Sequence, residues 1–322
     1  MSRLLRIFLY GLGALLVLVL AFVAYIQFAP LPTFENKAPV ISIVPDSMKM
    51  AEGARIVTTL CSSCHLSPDG KLGGQEMKDA GAFGTIYSTN ITNHPEYGAL
   101  SKYTDGELAY LIRTGIKKDG SYAPPWMVKL PSLSDEDMEA ILVYLRSDAP
   151  ELQPSDTPNR PSEMNFLAKM LLKTGAFKPL PYPEGPIASP DTSDVVAYGK
   201  YLALSKWDCY ACHSADFATC DFLEPERSVG FMGGGNPIPN RSGDIIYSAN
   251  LTMDKETGLG NWTEEEFIRA VQSGIRPHKI ANRYPMPPYS VLSDDEVSAI
   301  WAYLQTVPQI HNPNDFTPDL DE

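Results

Sequence analysis

Two stretches of this 322-residue chain hold residues whose types and spacing fix a particular chemistry: Cys61-Ser62-Ser63-Cys64-His65 and Cys209-Tyr210-Ala211-Cys212-His213. Each reads Cys-x-x-Cys-His, a haem attachment signal. Two thiols one helical turn apart reach the two vinyl groups of a single porphyrin, and the adjoining imidazole is left beneath the iron as its proximal ligand. A redox dithiol would sit near a βαβ pattern, which the sequence lacks, and a zinc site would bring two cysteine pairs close together. The two motifs predict two covalently bound haem c groups, one on Cys61, Cys64 and His65, the other on Cys209, Cys212 and His213. No catalytic residue is assigned beside them.

A sixth ligand is sought next. Met127 and Met286 align at an offset of 159 residues, in the settings Pro124-Pro125-Trp126-Met127 and Tyr284-Pro285-Met286-Pro287-Pro288, 62 residues after His65 and 73 after His213. A soft thioether favours ferrous iron and raises its potential, and flanking prolines hold the sulfur with little chain entropy. The alternative for either methionine is a core gap-filler. His94, His278 and His311 have no counterparts at the repeat offset and are expected in exposed loops. Asn90 and Asn250, with Tyr87 and Tyr247, are candidates for hydrogen bonds to haem propionates or for turn formation. Cys220 is left over; a buried inert thiol is expected, with thiolate ligation of the second iron as the alternative.

The elements that position these groups repeat. Tyr87-Ser88-Thr89-Asn90-Ile91-Thr92 matches Tyr247-Ser248-Ala249-Asn250-Leu251-Thr252, and Leu133-Ser134-Asp135-Glu136-Asp137 matches Leu292-Ser293-Asp294-Asp295-Glu296, always at 159 or 160 residues. Thr104, Thr263, Ser134 and Ser293 each carry an acidic residue three positions on, as a helix-starting capping arrangement requires. Gly115 and Gly274 are expected to stop the middle helices. Gly53 and Gly199 lie in the first helix of each copy, where a missing side chain would let another helix cross closely; the alternative is a glycine merely tolerated there. Between the copies, Met164, Leu167, Ala168, Leu171 and Leu172 have helical spacing within 162–177.

Near the N-terminus an apolar run from Ile7 to Ile26 is long enough, at about 1.5 Å per residue, to cross a bilayer core of about 30 Å. No convincing small-x-small cleavage site follows Ala24, so an uncleaved anchor is favoured over a signal peptide. Arg3 and Arg6 precede the run and no basic residue follows until Lys37, which keeps the N-terminus in the cytoplasm. Pro30 to Pro45 reads as an extended tether. With 39 acidic against 26 basic residues and a formal charge of −13, a nucleic-acid surface is disfavoured; a basic docking partner fits better, the alternative being an acidic surface that only keeps the domain from aggregating.

With the attachment motifs, loop methionines, Tyr-Ser-x-Asn segments and Leu-Ser-Asp helix starts in view, residues 46 to 306 resemble class I cytochrome c domains in tandem. The likeness is to the multihaem cytochrome subunits of bacterial alcohol and gluconate dehydrogenases. The resemblance implies a small α-helical fold around each haem, His/Met axial ligation, and relay of electrons from a dehydrogenase to quinone or the respiratory chain. The chain departs from those subunits in having two attachment motifs where three are common, and in its N-terminal anchor.

The expected fold class is all-α, with two tandem cytochrome c domains behind an N-terminal transmembrane helix. The expected organisation is an anchor at 1–30, a tether at 31–45, domain 1 at 46–150, a linker with a short helix at 151–190, domain 2 at 191–310 and an acidic tail at 311–322. The expected function is electron transfer between a dehydrogenase or quinol-oxidising complex and a respiratory acceptor, either a terminal oxidase or a soluble cytochrome. The expected place is the cell membrane, single-pass, with the haem domains in the periplasm or outside. A dihaem peroxidase-like or thiosulfate-oxidising enzyme is the alternative; it needs an iron able to open, which a methionine in each copy disfavours.

Overall fold

The computed structural model describes residues 2–240 and 242–313; most of the acidic tail expected at 311–322 lies outside the described residues. Ten helices appear among the described residues: α1 Arg3–Phe28, α2 Ser47–Ile56, α3 Ser62–His65, α4 Asp105–Thr114, α5 Asp135–Leu145, α6 Phe166–Lys173, α7 Val195–Tyr201, α8 Cys209–His213, α9 Glu264–Ser273 and α10 Asp294–Leu304. The protein is helix-rich rather than purely helical. Two short antiparallel ladders interrupt it, β1 Gly84–Thr85 with β2 Glu163–Met164, and β3 Pro237–Pro239 with β4 Ile245–Tyr247. The second ladder has a local cause: the β-branched pair Ile245-Ile246 follows a turn in which the Asn240 amide donates to the Asp244 carbonyl at 2.8 Å.

The helix boundaries follow the capping chemistry. Thr104 with Glu107, Thr263 with Glu266, and Ser293 with Glu296 each form a reciprocal capping box, while Gly115 and Gly274 close α4 and α9 in the left-handed conformation. Ser134 accepts from the Asp137 amide without the return bond, because the Asp137 carboxylate is used elsewhere. The linker helix is shorter than its apolar spacing suggests. Asn165 caps it by accepting from the Ala168 amide, and Glu163 and Met164 are drawn into β2.

The chain divides into two compact units, one built from 1–40, 64–129 and 153–179, the other from 41–63, 130–152 and 180–322. In the first, α6 packs on α1. The tether after α1 has no regular secondary structure, and the Phe34 amide donates to the Gly120 carbonyl at 2.8 Å. Rings of Phe83, Trp126 and Phe177 cluster there, with Phe83 and Trp126 centroids 5.0 Å apart.

The second unit is organised by two close helix crossings, α2 on α5 and α7 on α10. A Cβ at Gly53 would lie 2.0 Å from the Ala140 carbonyl oxygen, and one at Gly199 would lie 1.8 Å from that of Ala299. A chain of charges joins the four helices. Lys206, 6% exposed at its side chain, pairs with Glu52 at 2.8 Å and Asp137 at 3.1 Å. Arg55 pairs with Glu296, and Tyr201 donates to Asp137. Burial alone would raise the Glu52 carboxyl, yet Lys206 and Arg55 hold it below its ordinary value. Removing one partner of a buried pair leaves uncompensated charge and costs roughly 3 kcal/mol or more. Lys206→Met is therefore expected to lower the urea midpoint by an amount corresponding to about 3 kcal/mol, and a loss below about 0.5 kcal/mol would show that the carboxylates are already hydrated.

Candidate haem-binding site

Each attachment motif is entered through a π-helical turn: Val57–Cys61 ends on the first cysteine of one motif, and Leu202–Lys206 precedes the other. Such turns are rare, and they concentrate at functional sites because the extra residue re-aims the side chains that follow. Between the second turn and α8, Asp208 adopts a left-handed conformation with φ of 54°.

The two histidines are held alike. His65 Nδ1 donates to the Thr89 carbonyl at 2.7 Å, and His213 Nδ1 donates to the Ala249 carbonyl at 2.8 Å. Thr89 and Ala249 occupy the same place in the repeated Tyr-Ser-x-Asn segment. Burial lowers both imidazole pKa values, against the raising effect of these bonds. Each ring is thus neutral near pH 7, with its proton on Nδ1 and the Nε2 lone pair free to bind a metal, which is how a backbone carbonyl fixes the tautomer of a ligating histidine.

The segments themselves are fastened by their asparagines. Asn90 Oδ1 accepts from the amide and hydroxyl of Thr92 at 3.0 and 2.7 Å, and its Nδ2 donates to the Ser155 and Thr157 carbonyls. Asn250 does the same with Thr252, its Nδ2 donating to Thr257 Oγ1 and the Ile310 carbonyl. Both amides are consumed in holding the loop, which favours the turn-forming role over propionate binding.

In the second unit a cavity of about 810 Å³ brings together Cys209, Cys212, His213 and Met286, within the ~300–1,000 Å³ range of cofactor sites. Its walls are mostly apolar, among them Phe267, Leu292, Ile300 and Tyr289, whose ring meets Trp207 edge-on at 6.1 Å. Burial pushes both thiols up to about 12, with Asp208 adding to the effect. Polar groups also line it, the carboxylates of Asp208 and Glu256 among them. Trp207 Nε1 is buried with no hydrogen-bond partner among the described residues, and two guanidiniums, Arg276 and Arg283, stand on the wall. Burial, with Arg283 nearby, lowers Arg276 to about 10. An apolar chamber with two thiols, a neutral imidazole, a thioether, an unfilled indole donor and two cations matches a flat macrocycle that carries two carboxylates. The residues present fit a haem.

Met286 sits at a tight turn in which its amide donates to the Arg283 carbonyl at 2.9 Å, and Met127 sits at the equivalent turn, its amide donating to the Pro124 carbonyl at 3.0 Å. Met127, half-buried, lies in the same unit as Cys64 and His65; Cys61 belongs to the other unit. Its loop is held by the Trp126 cluster and by Lys129, whose buried Nζ donates to the Pro124 carbonyl and stands 5.0 Å from the Tyr122 ring.

The remaining candidates are otherwise engaged. His94 stacks on Tyr97 at 4.7 Å, accepts at Nδ1 from the Glu96 and Tyr97 amides, and has Nε2 3.3 Å from Asp156. His278 is exposed at a positive φ of 62°. His311 lines the cavity with Nδ1 3.5 Å from Asp254. The half-buried Cys220 donates weakly to the Ala211 and Asp216 carbonyls, and burial pushes its thiol up to about 12. It is not among the cavity-lining residues. Sequence reasoning missed Trp207, Arg276, Arg283 and His311 at the cavity. Arg276 and Arg283 align at the repeat offset with Lys117 and Pro124, so the repeat pointed to one cation and not the other.

Comparison with known proteins agrees with this chemistry. The cytochrome c family matches residues 50–148. The cytochrome c subunit of a quinone-dependent alcohol dehydrogenase from Gluconacetobacter polyoxogenes is 31% identical over 279 residues, covering 82% of this chain and 57% of that subunit. The gluconate 2-dehydrogenase cytochrome c subunit of Pantoea cypripedii is 29% identical, covering 77% of this chain and 56% of the subunit. A diheme cytochrome c-type protein of Cereibacter sphaeroides is 25% identical, covering 78% and 82%. The chain spans little more than half the length of the two dehydrogenase subunits. Residues 50–148 are a cytochrome c domain, and the chain is a homologue of the cytochrome c subunits of alcohol and gluconate dehydrogenases.

Proposed function

We propose that this protein is a membrane-anchored dihaem electron carrier, built of two tandem cytochrome c domains and serving a dehydrogenase. The observation that carries it is the shared placing of His65 and His213, each with Nδ1 committed to a carbonyl of the same repeated segment and Nε2 left for iron. Cys61 and Cys64, and Cys209 and Cys212, supply the thioether bonds. Met127 and Met286 take the sixth positions, and the gathering of Met286 with His213 and both thiols around one cavity supports that assignment. Haem supplies a reversible one-electron couple when bound. The chain's contribution is to exclude water, fix the imidazole tautomers and hold the sulfurs still, so that little rearranges when an electron arrives or leaves.

The partner follows from the relatives, which are subunits of dehydrogenases by name; the acceptor lies further along the respiratory chain. The helix Arg3–Phe28, whose most apolar 18-residue window is unburied, serves as the anchor and leaves the haem domains on the outer side. An enzyme that reacts with peroxide needs a vacant iron and acid/base groups beside it, and His94, a histidine of the first unit, is spent on Tyr97 and Asp156.

Purified holoprotein should give two haems per chain in a pyridine haemochromogen assay, both resisting acid-acetone extraction. It should be inert to hydrogen peroxide in every redox state. One haem per chain would remove the tandem reading, and rapid peroxide turnover in the half-reduced state would replace the carrier with an enzyme.

A further inference from the structure

We propose that α6 is a second membrane contact, lying in the headgroup layer where α1 leaves the bilayer. The inference rests on α1 being the membrane anchor. At about 1.5 Å per residue the 26 residues of α1 extend about 39 Å, more than the roughly 30 Å of hydrocarbon they must cross, so the last turn of α1 falls in the polar layer.

In that last turn the Tyr25 carbonyl accepts from the Ala29 amide at 3.1 Å, and the carbonyls that follow it have no partner inside the helix, a costly state at the edge of a bilayer. Lys173, at the end of α6, provides for them. Its Nζ donates to the carbonyls of Tyr25 at 3.0 Å, Ile26 at 2.8 Å and Ala29 at 2.5 Å, and stands 5.4 Å from the Tyr25 ring. A cation there also complements the negative end of the helix dipole. Ile26 is the buried residue of α1, and α6 packs on that helix. An element fastened by one lysine side chain to the last turn of the span lies at the same depth as that turn.

The surface of α6 suits that depth. At roughly 100° per residue, Ala168 and Leu172 share one side and are buried against the protein. Phe166, Met170, Leu167 and Leu171 fill an adjacent arc of about 140°; Phe166 is 39% and Leu167 42% exposed, and the other two are half-buried. Lys169 and Lys173 border that arc. Apolar side chains bordered along one edge by lysines on a short helix match a bilayer surface, with the apolar groups reaching the acyl boundary and the ammonium groups the anionic headgroups. The chain's net charge of −13 would otherwise repel an anionic membrane, which makes this basic border the place where approach is electrostatically allowed. The occupant we assign is the lipid bilayer itself.

The test uses the full-length, haem-loaded protein in phosphatidylcholine–phosphatidylglycerol membranes, with p-benzoylphenylalanine introduced singly at Leu167, at Leu16 in the middle of α1, and at exposed Glu184. After irradiation, mass spectrometry reads what each position has captured. Lipid adducts at 167 and 16, each about ten-fold above the yield at 184, are expected. Lipid at 16 with none at 167, or with a protein adduct at 167, overturns the inference and leaves the anchor standing. No lipid at 16 overturns the anchor, and the inference with it.

Discussion

Replacing Gly199 by alanine is expected to unfold the second compact unit. The added Cβ would meet the Ala299 carbonyl oxygen at 1.8 Å, its carbon at 2.3 Å and the Ile300 amide nitrogen at 2.9 Å. All three are backbone atoms of α10, so no side-chain rotamer can relieve the overlap; the helices must separate. Separation opens the core along buried Tyr201 and Leu202 on one side and Ile300 and Leu304 on the other, and disturbs the Arg55–Glu296 pair. A loss of more than about 4 kcal/mol is expected, beyond the usual range for a single substitution, read as the disappearance of the cooperative urea transition or a large shift in its midpoint. Gly53→Ala, which meets the Ala140 carbonyl oxygen at 2.0 Å, should behave alike. Gly185→Ala, with nothing within 4 Å of the added carbon, should stay within about 0.5 kcal/mol. If Gly199→Ala unfolds no more readily than Gly185→Ala, the crossing is not as close as described.

The second large effect is expected at the proposed sixth ligand. Met286→Leu keeps nearly the volume of the methionine side chain in the cavity wall and removes only the sulfur. If the thioether holds the iron, the far-red thioether-to-iron band of the oxidised protein should fall by about half, since one of two haems loses it. The reduced protein should then bind one carbon monoxide per chain where the parent binds none, and the potential of that haem should drop as the soft ligand is lost. A gap-filling methionine would leave both the band and the carbon monoxide count unchanged and cost less than about 1.5 kcal/mol in stability. Met127→Leu should give the complementary half. In the double variant the band should vanish, and its survival there would reject both methionines.

Much of this molecule is written along the chain. Cys-x-x-Cys-His is a local signal because its chemistry is local: the thiols and the imidazole must be neighbours in sequence to grip one porphyrin. The capping threonines and serines and the terminal glycines are local as well, since a helix end is satisfied by residues within three or four positions. The repeat offset drew attention to Met127, Met286 and the Tyr-Ser-x-Asn segments without any structure. Gly53 and Gly199 stood out for a different reason: the cost of a glycine inside a helix asks for an explanation, and close crossing is one.

Tertiary structure decided what depends on approach through space. The partner of each histidine is a backbone carbonyl at position 89 or 249, and a carbonyl has no side-chain identity to read. Asn90 and Asn250 are polar in an apolar setting, which the sequence displays; that their side chains are tied to Thr92, Thr252 and distant carbonyls depends on Ser155 and Ile310 being brought beside them. Trp207 lies just before α8 and Arg276 and Arg283 lie between α9 and α10, and they meet around one cavity. Lys173 lies about 145 residues from the carbonyls it caps, and Lys206 is 154 residues from Glu52 in sequence. Sequence patterns report what a residue's neighbours along the chain require, whereas long-range hydrogen bonds and ion pairs are fixed by packing, which only the folded chain supplies.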